Sequence, residues 1–463
     1  MKIEDLKDKK ITVMGLGLHG GGVGTVRFLV SAGAKVIVTD LKSKIELAPS
    51  LEKLKDLKGV EYVLGQHRTE DFTKVDMVIK TPPAPWTSKH IKLALENKIP
   101  VEIDSSLFFK LCPNPIMGVT GTRGKTTTAS LIFEILKVAG KNPIKVGIGQ
   151  VSVLDKLKEL KKDSVVVFEL SSWRLSALGR HKLSPKVAVI TNVFPDHLNY
   201  YKSMTEYVAD KKNIFLNQKA SDFCVINEDN EILKNLEAEI KAEVIKFSMY
   251  NISNGKTVYI EDEAIYLNNG IDTKKIINVA DVKIRGRHNL GNIMAAIGVA
   301  QALGIKMSDV KKAIAQFTGL PHRLEFVREL NGAKYYNDTS ATSPDGAISG
   351  LNSFTEPIIL IAGGSDKNLD MTAWAQAIHE KAKGVIFLKG EATDKIISAL
   401  QKIRPEDGKF VIVESMDKAV ELAKISADAG DVVLLSPGAA SFGLFLNEFD
   451  RGNKFKEAVK GLK

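Results

Sequence analysis

Val119-Thr120-Gly121-Thr122-Arg123-Gly124-Lys125-Thr126-Thr127 links a β-branched run over 116–119 to a helical pattern over 126–139. Strand, glycine turn and helix in that order make a phosphate-binding loop. Glycines let backbone N–H groups reach phosphate oxygens and the helix N-terminus adds a favourable dipole. Lys125 brings a charge, and the Thr126 hydroxyl is placed to hold Mg²⁺. The usual GxxxxGK[ST] pattern would begin with glycine at 119, where this chain has Val119. A tight turn with a fortuitous Lys-Thr would not bring strand, loop, lysine, threonine and helix into line. The stretch therefore predicts ATP and Mg²⁺ as partners, with Gly121, Thr122, Gly124, Lys125, Thr126 and Thr127 around the phosphates.

Two further apolar runs, 164–170 and 186–192, read as buried strands, and each ends in polar residues: Glu169-Leu-Ser171-Ser172 and Asn192-Val-Phe-Pro-Asp196-His197. Open α/β sheets bind ligands beyond the carboxyl ends of their strands, so these endings belong beside the phosphate loop. A carboxylate and an imidazole there can complete the Mg²⁺ shell that Thr126 begins. A lone histidine is more often structural, but His197 follows Asp196 at a strand end, which favours a functional role.

Nearer the start, Gly15-Leu-Gly17-Leu-His-Gly20 follows a strand over 11–14 and opens a helix over 20–32. Asp40 ends the next strand, 35–39, about 20 residues on, as in dinucleotide-binding folds. Alone the signal is weak, because glycines also serve tight helix packing. An NAD-dependent oxidoreductase is a competing reading, yet hydride transfer has no use for the separate Gly-Lys-Thr loop. A second nucleotide site, for a nucleotide attached to the substrate, fits both loops.

Short β-branched runs alternate with helical patterns through most of the 463 residues, the mark of parallel sheets covered by helices. The length suits about three domains. We place an N-terminal Rossmann-like domain at 1–113, a central P-loop ATPase-like domain at 114–318 and a C-terminal Rossmann-like domain at 319–463. The first boundary is the linker Cys112-Pro-Asn-Pro115. Short segments and turns over 251–277 read as a small antiparallel patch in the central sheet, and 290–303 as a helix. Strands at 357–362, 384–388, 410–413 and 431–435 make up the last domain.

Hydrophobic residues are 44% of the chain and charged residues 26%, which suits a packed globular protein. The net charge of +10 comes from lysines scattered on amphipathic segments such as 156–162. No basic stripe interleaves with aromatics, so a nucleic-acid partner is not expected. Cys112 and Cys224 lie far apart and suggest two buried small side chains rather than a disulfide or zinc site. The charged start MKIEDLKDKK and the lack of any run near the ~18 apolar residues of a membrane span predict a cytoplasmic protein without membrane insertion, expected as a monomer.

Together these residues resemble the Mur ligase family of peptidoglycan synthesis, nearly end to end. The resemblance rests on the Gly15 loop, Thr120 to Thr127, Glu169-Leu-Ser-Ser172 and Asp196-His197. It extends through Gly286-Arg-His-Asn289-Leu-Gly-Asn292, Gly319-Leu-Pro-His-Arg323, Asp338 to Thr342, and Leu435-Ser-Pro437 to Ser441. It implies an ATP-dependent amide ligase. The carboxylate of UDP-N-acetylmuramoyl-L-alanine would be activated as an acyl phosphate and joined to the amine of D-glutamate. A relative with another acceptor or amino acid, such as another Mur ligase or a folylpolyglutamate-type enzyme, is the alternative, and a non-catalytic nucleotide-binding regulator is a more distant one.

Residue by residue, the resemblance implies that Lys125 and Thr126 hold the ATP phosphates and Mg²⁺, with Glu169 and His197 as metal ligands. Lys211, in Tyr207-Val-Ala-Asp-Lys211, corresponds to a lysine the family carries as a carbamate, an anion able to ligate Mg²⁺ where an ammonium would be repelled. By pattern alone it reads as a surface lysine. Asn289 and Asn292 correspond to adenine-side residues, and Arg323 and Asp338 to nucleotide contacts. Leu18, His19 and Asp40 would line a uridine site, with Ser171 facing the UDP-sugar. Thr342, Lys367 and Ser441 would grip the incoming glutamate. Ser340 stands where glutamate-adding members usually carry lysine.

Overall fold

The structure is a computed structural model and describes the chain except residues 19, 150–151, 197–199, 253–254 and 404–409. Two compact units emerge: Met1–Asp281 with Gly291–Ala315, and Val282–Leu290 with Gln316–Lys463. The first holds two sheets and the second one, each flanked by helices, so the architecture is three α/β layers of the kind the alternating pattern predicts.

The N-terminal sheet is wholly parallel. Edge to edge it runs Val60–Leu64, Lys35–Asp40, Lys10–Met14, Met77–Lys80 and Val101–Glu102. Its first strand in the chain lies in the middle: the chain fills one side with Lys35–Asp40 and Val60–Leu64 and then the other with Met77–Lys80, and the Gly15 loop begins at the carboxyl end of Lys10–Met14.

The central sheet has nine strands. The short runs expected over 251–277 form the antiparallel strands Lys256–Glu261, Ala264–Asn268 and Thr273–Asn278 at one edge. The other six are parallel and run Glu243–Ser248, Phe223–Asn227, Val187–Ile190, Ile116–Thr120, Ser164–Glu169 and Asn142–Val146. Ile116–Thr120 is buried at every residue, and Val166, Val167 and Phe168 of its neighbour are fully buried. Strands covered by helices on both faces read as continuous apolar runs rather than as alternation.

The sheet of the second unit runs Glu325–Leu330, Ala333–Asn337, Val432–Leu435, Ile358–Gly363, Ala382–Leu388 and Val411–Val413. Only the first pair is antiparallel. That hairpin is absent from the expected strands because its burial does not alternate, and Asn331 takes a positive φ in the turn between. Of the two cysteines, Cys224 is buried as expected, whereas Cys112 at the helix end before Pro113 is only partly covered. Among the described residues no helix is long and apolar enough to cross a membrane.

Candidate functional site

Three neighbouring strands of the central sheet end side by side. Ile116–Thr120 lies between Ser164–Glu169 and Val187–Ile190, pairing Val119 with Glu169 and Thr120 with Ile190. The crossovers diverge here, which opens the crevice in which such sheets bind ligands.

The loop leaves the strand at Gly121 (φ +148°) and enters the helix Lys125–Val138 through Gly124 (φ +82°). A Cβ on Gly121 would lie 1.9 Å from Thr191 Oγ1, and one on Gly124 would lie 2.2 Å from Asn292 Oδ1, so both positions require glycine. The next strand end braces the turn. The Arg123 N–H donates to Asn192 Oδ1 at 2.8 Å, and Asn192 Nδ2 donates back to the Arg123 carbonyl at 3.2 Å. Thr122 Oγ1 accepts from the Phe194 N–H at 3.0 Å and meets the Tyr207 hydroxyl at 3.2 Å. Lys125 Nζ folds over the loop and donates to the carbonyls of Gly121 (2.9 Å) and Thr122 (3.0 Å). Thr126 and Thr127 occupy the first helical turn, where N–H groups lack intrahelical acceptors. Buried Thr128, one residue on, donates to Asn292 Oδ1 at 3.2 Å.

Glu169 closes the adjacent strand, and its buried Oε2 has no hydrogen-bond partner among the described residues. A buried carboxylate oxygen without a donor is costly, and a bound cation is one group that satisfies it. Lys211, on the helix Met204–Lys212, is not the surface lysine its pattern suggests but is 3% exposed, with Nζ 4.6 Å from the centroid of the Tyr207 ring. Burial first, and the nearby Lys125 charge second, push its pKa down to about 7. Tyr207 precedes Lys211 by four residues and so shares its helix face, and it reaches Thr122 as well. Its part in bracing the loop escaped the sequence reading, as did that of Thr191, whose Oγ1 donates to the Arg123 carbonyl; the one available signal was the spacing of Tyr207 from Lys211. His197 lies outside the described residues. Among those described, no three His, Cys, Asp or Glu side chains gather as a preformed metal cluster.

Ser171 caps the helix Ser172–Arg180, its Oγ accepting from the Arg174 N–H at 3.4 Å. In the N-terminal loop, Asp40 Oδ2 accepts from the N–H groups of Leu16 (2.9 Å) and Gly17 (3.1 Å), and Oδ1 accepts from Lys42 at 2.9 Å. Leu18 is 44% exposed, and His19 lies outside the described residues. Asn289 and Asn292 both belong to the helix Arg287–Ala302, and Asn289 Nδ2 donates to the Arg285 carbonyl at 2.6 Å.

In the second unit, Asp338 follows the strand Ala333–Asn337 and is buried. It accepts from the Leu324 N–H at 3.2 Å and from Ser436 Oγ at 3.0 Å. Burial outweighs these bonds and the charge of exposed Arg323, and raises its pKa to about 7. Thr342, Lys367 and Ser441 follow three strands that neighbour one another in the sheet, and Lys367 Nζ donates to Thr342 Oγ1 at 3.0 Å.

Comparisons with known proteins cover all three layers. Residues 9–102 match the model of the Mur ligase MurD-like N-terminal domain, 119–300 the Mur ligase middle domain and 322–438 the Mur ligase glutamate ligase domain. The chain is 39% identical to the UDP-N-acetylmuramoylalanine–D-glutamate ligase of Roseiflexus sp. (strain RS-1), over 98% of this chain and 99% of that one. It is 38% identical to the enzyme of that name from Clostridium tetani, over 98% and 97%. Among solved structures, the UDP-N-acetylmuramate-alanine ligase of Thermotoga maritima is similar in fold, with a TM-score of 0.61 at 21% identity over 98% of this chain and all of that one. A pseudomurein peptide ligase type C from Methanothermus fervidus gives a TM-score of 0.57 at 19% identity over 98% and 100%. The chain belongs to the Mur ligase family.

Proposed function

We propose that this protein is an ATP-dependent ligase that adds D-glutamate to UDP-N-acetylmuramoyl-L-alanine in the synthesis of peptidoglycan precursors. Full-length similarity to enzymes of that name supports the choice of substrates. The observation that carries the chemistry is the glycine loop braced by Asn192, next to the strand end at Glu169, whose Oε2 has no hydrogen-bond partner among the described residues.

In this reading the substrate carboxylate attacks the γ-phosphate of ATP, becoming an acyl phosphate and releasing ADP. The glutamate amine then attacks the carbonyl, forming the amide and expelling phosphate. Phosphoryl transfer needs positioning and charge neutralisation more than covalent help. Lys125 and the amides of the first helical turn bind the phosphates. Thr126, Glu169, His197 and a carbamylated Lys211 would hold Mg²⁺, which when bound neutralises charge on the transferring group. The donor set fits, because Glu169 Oε2 has no hydrogen-bond partner among the described residues. Lys211, held to about 7, is also readily neutral and so able to take up CO₂ as an anionic carbamate. Thr342, Lys367 and Ser441 are assigned to the amino acid, and Leu18, His19 and Asp40 to the UDP end of the acceptor.

The test offers the purified protein ATP, Mg²⁺, the UDP-linked acceptor and each glutamate enantiomer, with products identified by mass. D-Glutamate alone should give amide and ADP, and Lys125→Ala should lower the rate about a thousandfold. Full turnover in that variant removes the phosphate role, and product from another acceptor in a panel of muramoyl and folate compounds reassigns the substrate.

A further inference from the structure

Arg451 is a fully buried guanidinium with no carboxylate among its hydrogen-bond partners. It projects from the helix Glu448–Gly461 into the crossing of two turns. To the turn after Ala333–Asn337 it donates from Nε to Thr339 Oγ1 (2.9 Å) and from Nη2 to the Thr339 carbonyl (3.0 Å). To the turn after Val432–Leu435 it donates from Nη1 to the carbonyls of Ala439 and Ala440, both at 3.2 Å.

A third turn is tied to the second by backbone. Ser365 and Ala440 exchange N–H to carbonyl bonds of 3.0 and 3.1 Å. The helix approaches so closely that a Cβ on Gly452 would lie 2.5 Å from Thr339 Cγ2 and 2.3 Å from His322 Nδ1. Each of these turns carries one candidate amino-acid ligand within three residues of the clamped backbone: Thr342 after Thr339, Ser441 after Ala440, and Lys367 after Ser365. Burying an unpaired cation is costly, and a planar five-donor fork is the side chain that can satisfy carbonyls on two turns at once. Lysine at the same place keeps the charge but not the fork.

We propose that Arg451 is a positioning residue for the incoming amino acid, clamping the turns after adjacent strands so that Thr342, Lys367 and Ser441 converge on one dicarboxylic substrate. The inference rests on the ligase reading above. Arg451 touches no substrate itself. It sets the spacing of the groups that do.

The test is a set of full kinetic constants for the intact enzyme, with Arg451→Lys and Arg451→Gln beside the parent. KM for D-glutamate should rise about tenfold in Arg451→Lys and further in Arg451→Gln, the loss expected when a charge-assisted hydrogen bond is broken. KM for ATP and for the UDP-linked acceptor should stay at the parent values. Thr339→Val, which removes the Nε acceptor and keeps the arginine, should shift KM for glutamate in the same direction, and it decides the matter if neither arginine variant folds. An unchanged KM for glutamate, or three KM values that rise together, overturns the inference. A parent enzyme without glutamate-dependent ADP release sinks the ligase reading and this one with it, whereas normal parent turnover with unshifted variants sinks this one alone.

Discussion

The two glycine loops of the first unit both lead from a strand to a helix between glycines of positive φ, and differ in length and in what braces them. In each, a strand ends at a glycine of positive φ, Gly15 at +92° and Gly121 at +148°. A second glycine in the left-handed region, Gly20 at +84° and Gly124 at +82°, then starts a helix. The N-terminal loop folds around a carboxylate, Asp40, which takes the amides of Leu16 and Gly17. The central loop folds around an amide side chain, Asn192, which takes the amide of Arg123. The carboxylate takes two amides of its turn and adds negative charge there, whereas the amide side chain adds none beside Lys125 and the helix dipole. Glycine spacing sets the shape of such a loop, and the bracing residue sets its sign. The second unit supplies a third case in Asp338, a carboxylate in a strand-end turn with one backbone amide and one hydroxyl as donors, buried so deeply that its charge is poorly tolerated.

The largest effect is expected at that third case. Asp338 is raised from the usual carboxylate range to about 7, by burial first, with Ser436, the Leu324 amide and Arg323 pulling the other way. A carboxylate with a raised folded-state pKa binds protons more tightly folded than unfolded. Its contribution is therefore favourable below the unfolded pKa and is lost as pH rises toward about 7. Asp338→Asn should remove that slope, so that the variant is more stable than the parent above neutrality, by up to about 4 kcal/mol, and loses the advantage in acid. Denaturant melts across pH check this, and parallel curves for the two proteins would mean the carboxylate is stabilised by more than these donors.

Next in size is a direct conversion of one loop into the other. Asn192→Asp keeps the acceptor for the Arg123 amide, turns the Nδ2 bond into repulsion of the Arg123 carbonyl, and places a negative charge in the phosphate loop. KM for ATP should rise about a hundredfold, with a weaker effect at high salt, because the penalty is Coulombic. An unchanged KM would show that the sign of the brace is immaterial and that the amides of the helix alone decide binding.

Much of this was legible in the residues. Buried parallel strands announce themselves as β-branched runs, so 116–119 and 164–170 fell within a residue of their ends, and the glycine loops followed from spacing. What was not legible depends on chain segments far apart in sequence meeting in space. Nothing near Thr122 points to Tyr207, 85 residues away. Arg451 looks like any arginine in an amphipathic helix, and its burial depends on a turn 112 residues upstream closing around it together with a nearer one. Lys211 is the sharpest example, because periodicity places a lysine outside and tertiary packing of one helix face puts it inside.

The smallest effect, and the cleanest control, lies in the N-terminal loop. Asp40→Asn leaves one carbonyl oxygen to serve the Leu16 and Gly17 amides and sets an NH₂ group against the Lys42 amide, which now has no acceptor. Stability should fall by about 1–2 kcal/mol, the worth of hydrogen bonds to a charged acceptor that are weakened rather than deleted. KM for ATP should not move, since the central loop has its own brace. KM for the UDP-linked acceptor should rise, because the loop holding Leu18 loosens. If instead neutralising Asp40 makes the N-terminal loop bind free triphosphate, detectable by calorimetry with a Lys125→Ala background to silence the central site, then the brace alone separates the two loops. The glycine pattern would by itself be a general phosphate cradle.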